Sequence, residues 1–210
     1  MTKLPFLYFD SAVCSGCKTC VVACLDGRND DTDHPRRNVI EYCGGSFRQR
    51  GDGAFVQDVY AYYLSISCHH CSEPLCLKAC PNKALRKEPS GLVTLVGDCL
   101  GCRNCRTACP YDAPVFDLKT GKLDKCDFCI DRLNSKQAPL CVEACPLGAL
   151  TLIEETDLEN IDEDDLMVAP PPLPPWSLTK PRLMVGWPKR FTRADIEKLR
   201  DGRVANPEEK

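Results

Sequence analysis

The chain has 210 residues, 43% of them hydrophobic and 27% charged, with a formal net charge of −3. That balance allows one compact domain or two small ones, and it leaves no broad basic surface for nucleic acid. No stretch reaches the roughly 20 apolar residues that a membrane-spanning helix requires.

From the N-terminus, Met1 to Asp10 offers only a short apolar stub, interrupted by Pro5. It lacks the apolar region and small-residue cleavage site of a secretory signal, so the chain reads as made in the cytosol and not exported by a signal of its own. The first cysteine group follows: Cys14-Ser-Gly-Cys17-Lys-Thr-Cys20-Val-Val-Ala-Cys24. Cys43 stands apart in Glu41-Tyr-Cys-Gly-Gly45 and is read as a buried free thiol. Val59 to Ser67, rich in β-branched and aromatic residues, predicts a strand running into the second group, Cys68, Cys71, Cys76 and Cys80. Leu92 to Val96 predicts another strand, leading into Cys99-Leu-Gly-Cys102-Arg-Asn-Cys105-Arg-Thr-Ala-Cys109. The fourth group is Cys126, Cys129, Cys141 and Cys145, and a strand is predicted after it over Leu150 to Ile153. Each x3-Cys-Pro segment suits a single helical turn ended by its proline.

Beyond Ile153 the composition changes. Glu154 to Asp165 is strongly acidic and Ala169 to Pro175 is proline-rich, which predicts extended polyproline II. Residues 154–210 therefore read as an arm, either a solvated linker or a strap across a partner, set against a core of residues 1–153. A short helix is predicted from Thr192 to Arg200, with Thr192 as its N-cap.

Seventeen cysteines do not look like a disulfide set. The number is odd, most lie three or four residues apart, and a cytosolic compartment keeps thiols reduced. Groups one and three share the full C-x2-C-x2-C-x3-C spacing, while groups two and four end alike in Cys-x3-Cys-Pro. The order A-B-A′-B′ implies duplication of a two-motif unit. That spacing is the bacterial ferredoxin run, whose fourth cysteine serves a neighbouring cluster. Leu25 replaces the usual proline in group one, and groups two and four lengthen one gap. Zinc is the competing metal, but a four-cysteine zinc site wants two C-x2-C pairs about 15–20 residues apart. Groups one and three are too tight for that, and the repeat calls for one explanation. Sixteen cysteines then suit four [4Fe–4S] clusters. Lys18, Arg103 and Arg106 lie beside ligands and could raise a potential, or be plain surface cations. His69 and His70 are expected to pack against a cluster or hydrogen-bond its sulfur.

Taken together, the motifs resemble the four-cluster, ferredoxin-like iron–sulfur subunits of the dimethyl sulfoxide reductase complex family. The resemblance rests on Cys14-x-Gly-Cys-Lys-Thr-Cys20, Tyr60 to Cys68, Cys105-x3-Cys-Pro-Tyr-x-Ala-Pro114, Cys141-Val-Glu-x-Cys-Pro-Leu147 and Ala205-Asn-Pro-x-Glu209. It implies that the outer two motifs pair and the inner two pair. One cluster would take Cys14, Cys17, Cys20 and Cys145, and its neighbour Cys126, Cys129, Cys141 and Cys24. The inner pair would take Cys68, Cys71, Cys76 and Cys109, and Cys99, Cys102, Cys105 and Cys80. The implied fold is α+β: two ferredoxin-like modules, the inner at about 55–115 and the outer at about 1–54 plus 116–153, with the C-terminal arm attached. Nitrate reductase relatives place tryptophan at a cysteine of the third motif. Here all four are present, which points to the dimethyl sulfoxide, polysulfide or tetrathionate branch.

The resemblance implies an electron-transfer subunit without catalysis of its own. It would relay electrons from a quinol-oxidising membrane anchor to a molybdopterin catalytic subunit, most simply of an anaerobic dimethyl sulfoxide reductase. The rivals are a polysulfide or tetrathionate reductase subunit, a free-standing polyferredoxin and a zinc-binding interaction module. The expected location is peripheral on the membrane, on the periplasmic face by co-export with a signal-bearing partner, with the cytoplasmic face as the alternative.

Overall fold

Among the described residues, five short antiparallel or mixed sheets and five short α-helices, rather than one continuous sheet, carry the cysteine loops. The computed structural model describes residues 3–28, 35–160 and 170–186. In chain order, β1 (Phe6–Asp10) precedes α1 (Thr19–Asp26), β2 (Arg37–Gly44) and a hairpin of β3 (Phe47–Gln49) and β4 (Phe55–Gln57). Then come β5 (Tyr60–Ser67), α2 (Leu75–Lys78), β6 (Leu85–Lys87), β7 (Val93–Leu95) and α3 (Asn104–Thr107). The rest is β8 (Val115–Phe116), β9 (Leu123–Asp124), α4 (Ile130–Asn134), α5 (Leu140–Glu143), β10 (Leu150–Ile153) and β11 (Leu183–Gly186).

The three predicted strands appear as β5, β7 and β10, each within a residue or two of its expected bounds. β5 pairs antiparallel with β2 over eight residues, Arg37 opposite Ser67 through Gly44 opposite Tyr60. Alternation sets the burial: Tyr62, Leu64 and Ile66 point into the core. Cys43 lies near the end of β2 and is exposed, which corrects its reading as a buried thiol. Phe9, Leu64, Ala149 and Leu150, each at 1–2% exposure, lie in the main cluster, against which Cys14, Cys68, Cys71 and Cys145 also pack. A smaller cluster around Leu85, Val93, Phe116 and Leu123 backs Cys76, Cys99 and Cys105.

The expected arm needs correction over residues 170–186. β11 pairs parallel with β1, Leu7 opposite Leu183, while β10 pairs antiparallel on the other edge, Phe6 opposite Ile153. All four β11 residues are buried, so the segment belongs to the core and not to a linker. On its way there it crosses the second cysteine motif. Ser72 N donates to Lys180 O, Glu73 N to Thr179 O and Arg182 N to His69 O. Tyr62 Oη donates to Pro171 O, and the Tyr111 and Thr179 hydroxyls meet at 2.7 Å in the interior. The predicted polyproline stretch is interrupted by a turn closed by Leu173 N to Pro170 O at 2.7 Å. The predicted helix from Thr192 to Arg200 and the closing Ala205-Asn-Pro motif lie outside the described residues.

Candidate metal centres

One backbone device opens all four motifs. The residue before the second cysteine is left-handed each time: Gly16 at φ 70°, His70 at 45°, Gly101 at 66° and Phe128 at 62°. The reversal turns the following backbone onto the first sulfur. Gly101 N lies 3.4 Å from Cys99 Sγ, and Phe128 N 3.3 Å from Cys126 Sγ. Such N–H groups favour thiolate, the form that binds metal. Since His70 and Phe128 tolerate the conformation, φ alone does not explain the glycines. Space does: a Cβ on Gly101 would sit 2.6 Å from the Gly121 carbonyl oxygen. Gly148 (φ 63°) is the opposite case, with nothing within 4 Å of its Cβ position and Lys83 and Asp112 (both φ 49°) at the matching places. Gly148→Ala should therefore cost about 1–2 kcal/mol of backbone strain. Gly101→Ala should add about 1–3 kcal/mol of overpacking. Anaerobic thermal melts check the order, and equal melting temperatures would dismiss the steric account.

The second half of each motif is a helical turn ending in cysteine. α2, α3 and α5 have four residues each, and the Cys-Pro that follows closes the same turn three times. Lys83 N reaches Cys80 O, Asp112 N reaches Cys109 O and Gly148 N reaches Cys145 O, all at 3.2 Å. Where Leu25 replaces proline, α1 keeps its backbone donors and runs to eight residues.

These turns converge the sulfurs. Cys68, Cys71, Cys76 and Cys109 line one cavity, shared with His69, His70 and Lys125. Cys80, Cys99, Cys102 and Cys105 line a second with Arg103, and Cys24, Cys126, Cys129 and Cys141 a third with Arg37. Burial pushes the Cys14 thiol up, and Cys20, Cys145 and Cys17 add to it as neighbouring sulfurs, which gathers the remaining four. Each group takes three cysteines from one motif and the fourth from another. Zinc would draw four sulfurs to about 2.3 Å from one ion. Here, among the described residues, no three His, Cys, Asp or Glu side chains close on a single point in that way.

The electrostatics suit a cationic occupant. Burial pushes the Cys24 and Cys71 thiols up to about 11, and those of Cys76 and Cys126 to about 12. Buried thiolates need iron as counter-charge, and binding it releases their protons. Two buried imidazole atoms, His69 Nε2 and His70 Nε2, have no partner among the described residues, and both residues line the first cavity. An iron–sulfur cube, presenting sulfur acceptors, fits that donor set.

Of the three cations expected to matter, Arg103 lines the second cavity with its guanidinium 5.5 Å from the Phe116 ring. Arg106 is instead clamped on Asp112 at 2.6 and 2.7 Å on the surface, and Lys18 is an exposed left-handed residue at the start of α1. Sequence reading missed the buried ones. Arg37, 3% exposed, donates to the Ser65 and Ser67 hydroxyls at 2.9 Å. Burial opposes its charge, but Cys141, Cys126, Cys20 and Cys24 surround it and hold the guanidinium above its usual value. Lys125 donates to Val93 O and Cys126 O, and Lys87 to Cys71 O at 2.6 Å. The available signal was Arg37 at the head of an alternating apolar strand. Of the sixteen grouped cysteines only Cys17 and Cys102 are exposed.

Short mixed helices and strands holding cysteine-lined cavities under left-handed C-x2-C turns define a small ferredoxin-like 4Fe–4S protein. The family model described as a 4Fe-4S dicluster domain matches residues 59–155. The sequence is 43% identical over 203 residues to the B subunit of the anaerobic dimethyl sulfoxide reductase of Haemophilus influenzae, covering 96% of this protein and 97% of that one. It is 41% identical over 210 residues to the subunit of the same name from Escherichia coli K12, across the full length of both. Hydrogenase-2 operon protein HybA of Escherichia coli O157:H7 is 34% identical over 166 residues, 69% of this protein and 50% of that one. This polypeptide belongs to the dimethyl sulfoxide reductase family as its iron–sulfur, electron-transfer subunit, and it carries electrons rather than catalysing a reaction of its own.

Proposed function

We propose that the chain holds four [4Fe–4S] clusters in two two-cluster modules and relays electrons between a quinol-oxidising membrane anchor and a molybdopterin catalytic subunit. The inner module spans about 55–115, and the outer about 1–54 with 116–153 and the returning strand β11. The observation that carries this reading is the return of sixteen cysteines to four groups of four. Bound clusters would supply one-electron redox centres. The chain's own residues supply thiolates, backbone N–H groups aimed at sulfur and buried cations that favour the reduced, more negative state. Cys17 and Cys102 are the exposed members of their groups, so the clusters they would hold lie nearest the surface and would be the points of electron entry and exit. No helix among the described residues is long and apolar enough to cross a membrane. The chain would sit peripherally on a membrane complex, at the periplasmic face through co-export with a signal-bearing partner.

Metal analysis of the complex, purified anaerobically from detergent-solubilised cells, tests this directly. About sixteen irons per chain with molybdenum co-purifying is the expected result. The same iron without molybdenum would favour a free polyferredoxin, and zinc in place of iron would overturn the reading.

A further inference from the structure

His70 occupies the left-handed position of the second motif and is fully buried. Its Nδ1 accepts a hydrogen bond from Val93 N at 3.0 Å. A ring nitrogen that accepts cannot carry the proton, so the neutral imidazole holds its proton on Nε2. That Nε2 donor is buried and meets no acceptor among the described residues. Leaving such a buried donor unmade is costly, and the cavity the ring lines is walled by Cys68, Cys71, Cys76 and Cys109. On another side the ring meets Phe128 edge-on at 5.7 Å, and Phe128 lines the cavity of Cys24, Cys126, Cys129 and Cys141. His70 thus stands where the inner and outer groups adjoin.

We propose that His70 donates its Nε2–H to a sulfur of the cluster held by Cys68, Cys71, Cys76 and Cys109, and so raises the reduction potential of the centre beside the junction of the two modules. The proposal rests on the cluster assignment given above. Reduction adds negative charge to the sulfurs, so a donor aimed at them stabilises the reduced state more than the oxidised one. His70 is a positioning residue for the electron's passage between modules. The Val93 amide fixes its tautomer, and the αL backbone fixes its direction.

The test uses the intact complex labelled with ¹⁵N-histidine and reduced chemically. Pulsed EPR should show hyperfine coupling from one histidine nitrogen and one exchangeable proton on a single cluster signal. Absence of that coupling in the wild type overturns the proposal without any variant. His70→Asn then assigns it, because asparagine tolerates the left-handed backbone and can still accept from Val93 N while lacking a donor at the Nε2 position. The coupling should vanish and one midpoint should fall, changing the reduced-to-oxidised ratio at fixed potential about tenfold, or ~59 mV for one electron. The other midpoints and the iron content should hold. His69 shares the cavity and also has an unpartnered Nε2, so His69→Asn should keep the coupling; its loss there would move the role to His69. Full iron with four cluster signals but no histidine coupling defeats the His70 proposal alone. Iron well short of that defeats the cluster assignment beneath it.

Discussion

Serine in place of Cys145 is expected to damage the same cluster as serine in place of Cys14, and to spare the one damaged by Cys24→Ser or Cys126→Ser. In sequence Cys145 follows Cys141 by four residues, just beyond the end of α5. In the structure the two part company. Cys141 faces Cys24, Cys126 and Cys129 across one cavity, while Cys145 joins Cys17 and Cys20 around Cys14. α1 packs on α5, and the first and fourth motifs each give their last cysteine, Cys24 and Cys145, to the other's group. A serine hydroxyl is a harder and less acidic donor than a thiol, and three thiolates do not hold a four-iron cube firmly. Each variant should therefore lose about one to four of roughly sixteen irons and alter one low-temperature EPR signal of the reduced protein. The pairing predicts two matched sets of spectra. Were Cys145→Ser to match Cys126→Ser, the fourth motif would be keeping its own last cysteine, and the exchange between outer motifs would be wrong.

The sequence was most informative where chemistry imposes spacing. Cluster ligands recur at short, repeated spacings, so the four groups, and the Cys-Pro turns of three of them, could be read directly. β5, β7 and β10 could also be read, because β-branched and aromatic runs lead straight into or out of those loops. The centre of the main sheet was not legible. β1 pairs with residues near 150 on one side and near 184 on the other, and pairings that distant leave no local mark. The proline and acid content between them pointed to a free arm, whereas residues 170–186 close over the second motif. Missing β2 had two consequences. Cys43 was placed inside although it lies exposed near the end of that strand, and Arg37 passed unnoticed although it is buried at the strand's head, opposite Ser67. The pairing of the motifs came from family resemblance, since spacing cannot say which loop meets which.

Arg37→Met is expected to lower the midpoint potential of the cluster among Cys24, Cys126, Cys129 and Cys141, and to a smaller degree that of its Cys20-bearing neighbour. The guanidinium is a buried cation that Cys20, Cys24, Cys126 and Cys141 feel in common. Removing one charge at an effective dielectric near 20 is worth roughly 1–3 kcal/mol at such distances, or roughly 40–130 mV for a one-electron couple. The fold should weaken as well, because the Ser65 and Ser67 hydroxyls lose their donor and the buried sulfurs their counter-charge, a loss of about 3–5 kcal/mol. Arg37→Lys separates the two effects. Its ammonium keeps the charge but cannot span both serines as the planar fork does. The lysine variant should hold the potential near the wild-type value while melting at a lower temperature. An unshifted potential in Arg37→Met, with iron content intact, would mean that neighbouring cations such as Lys125 already set the field and that Arg37 serves the β2–β5 ladder alone.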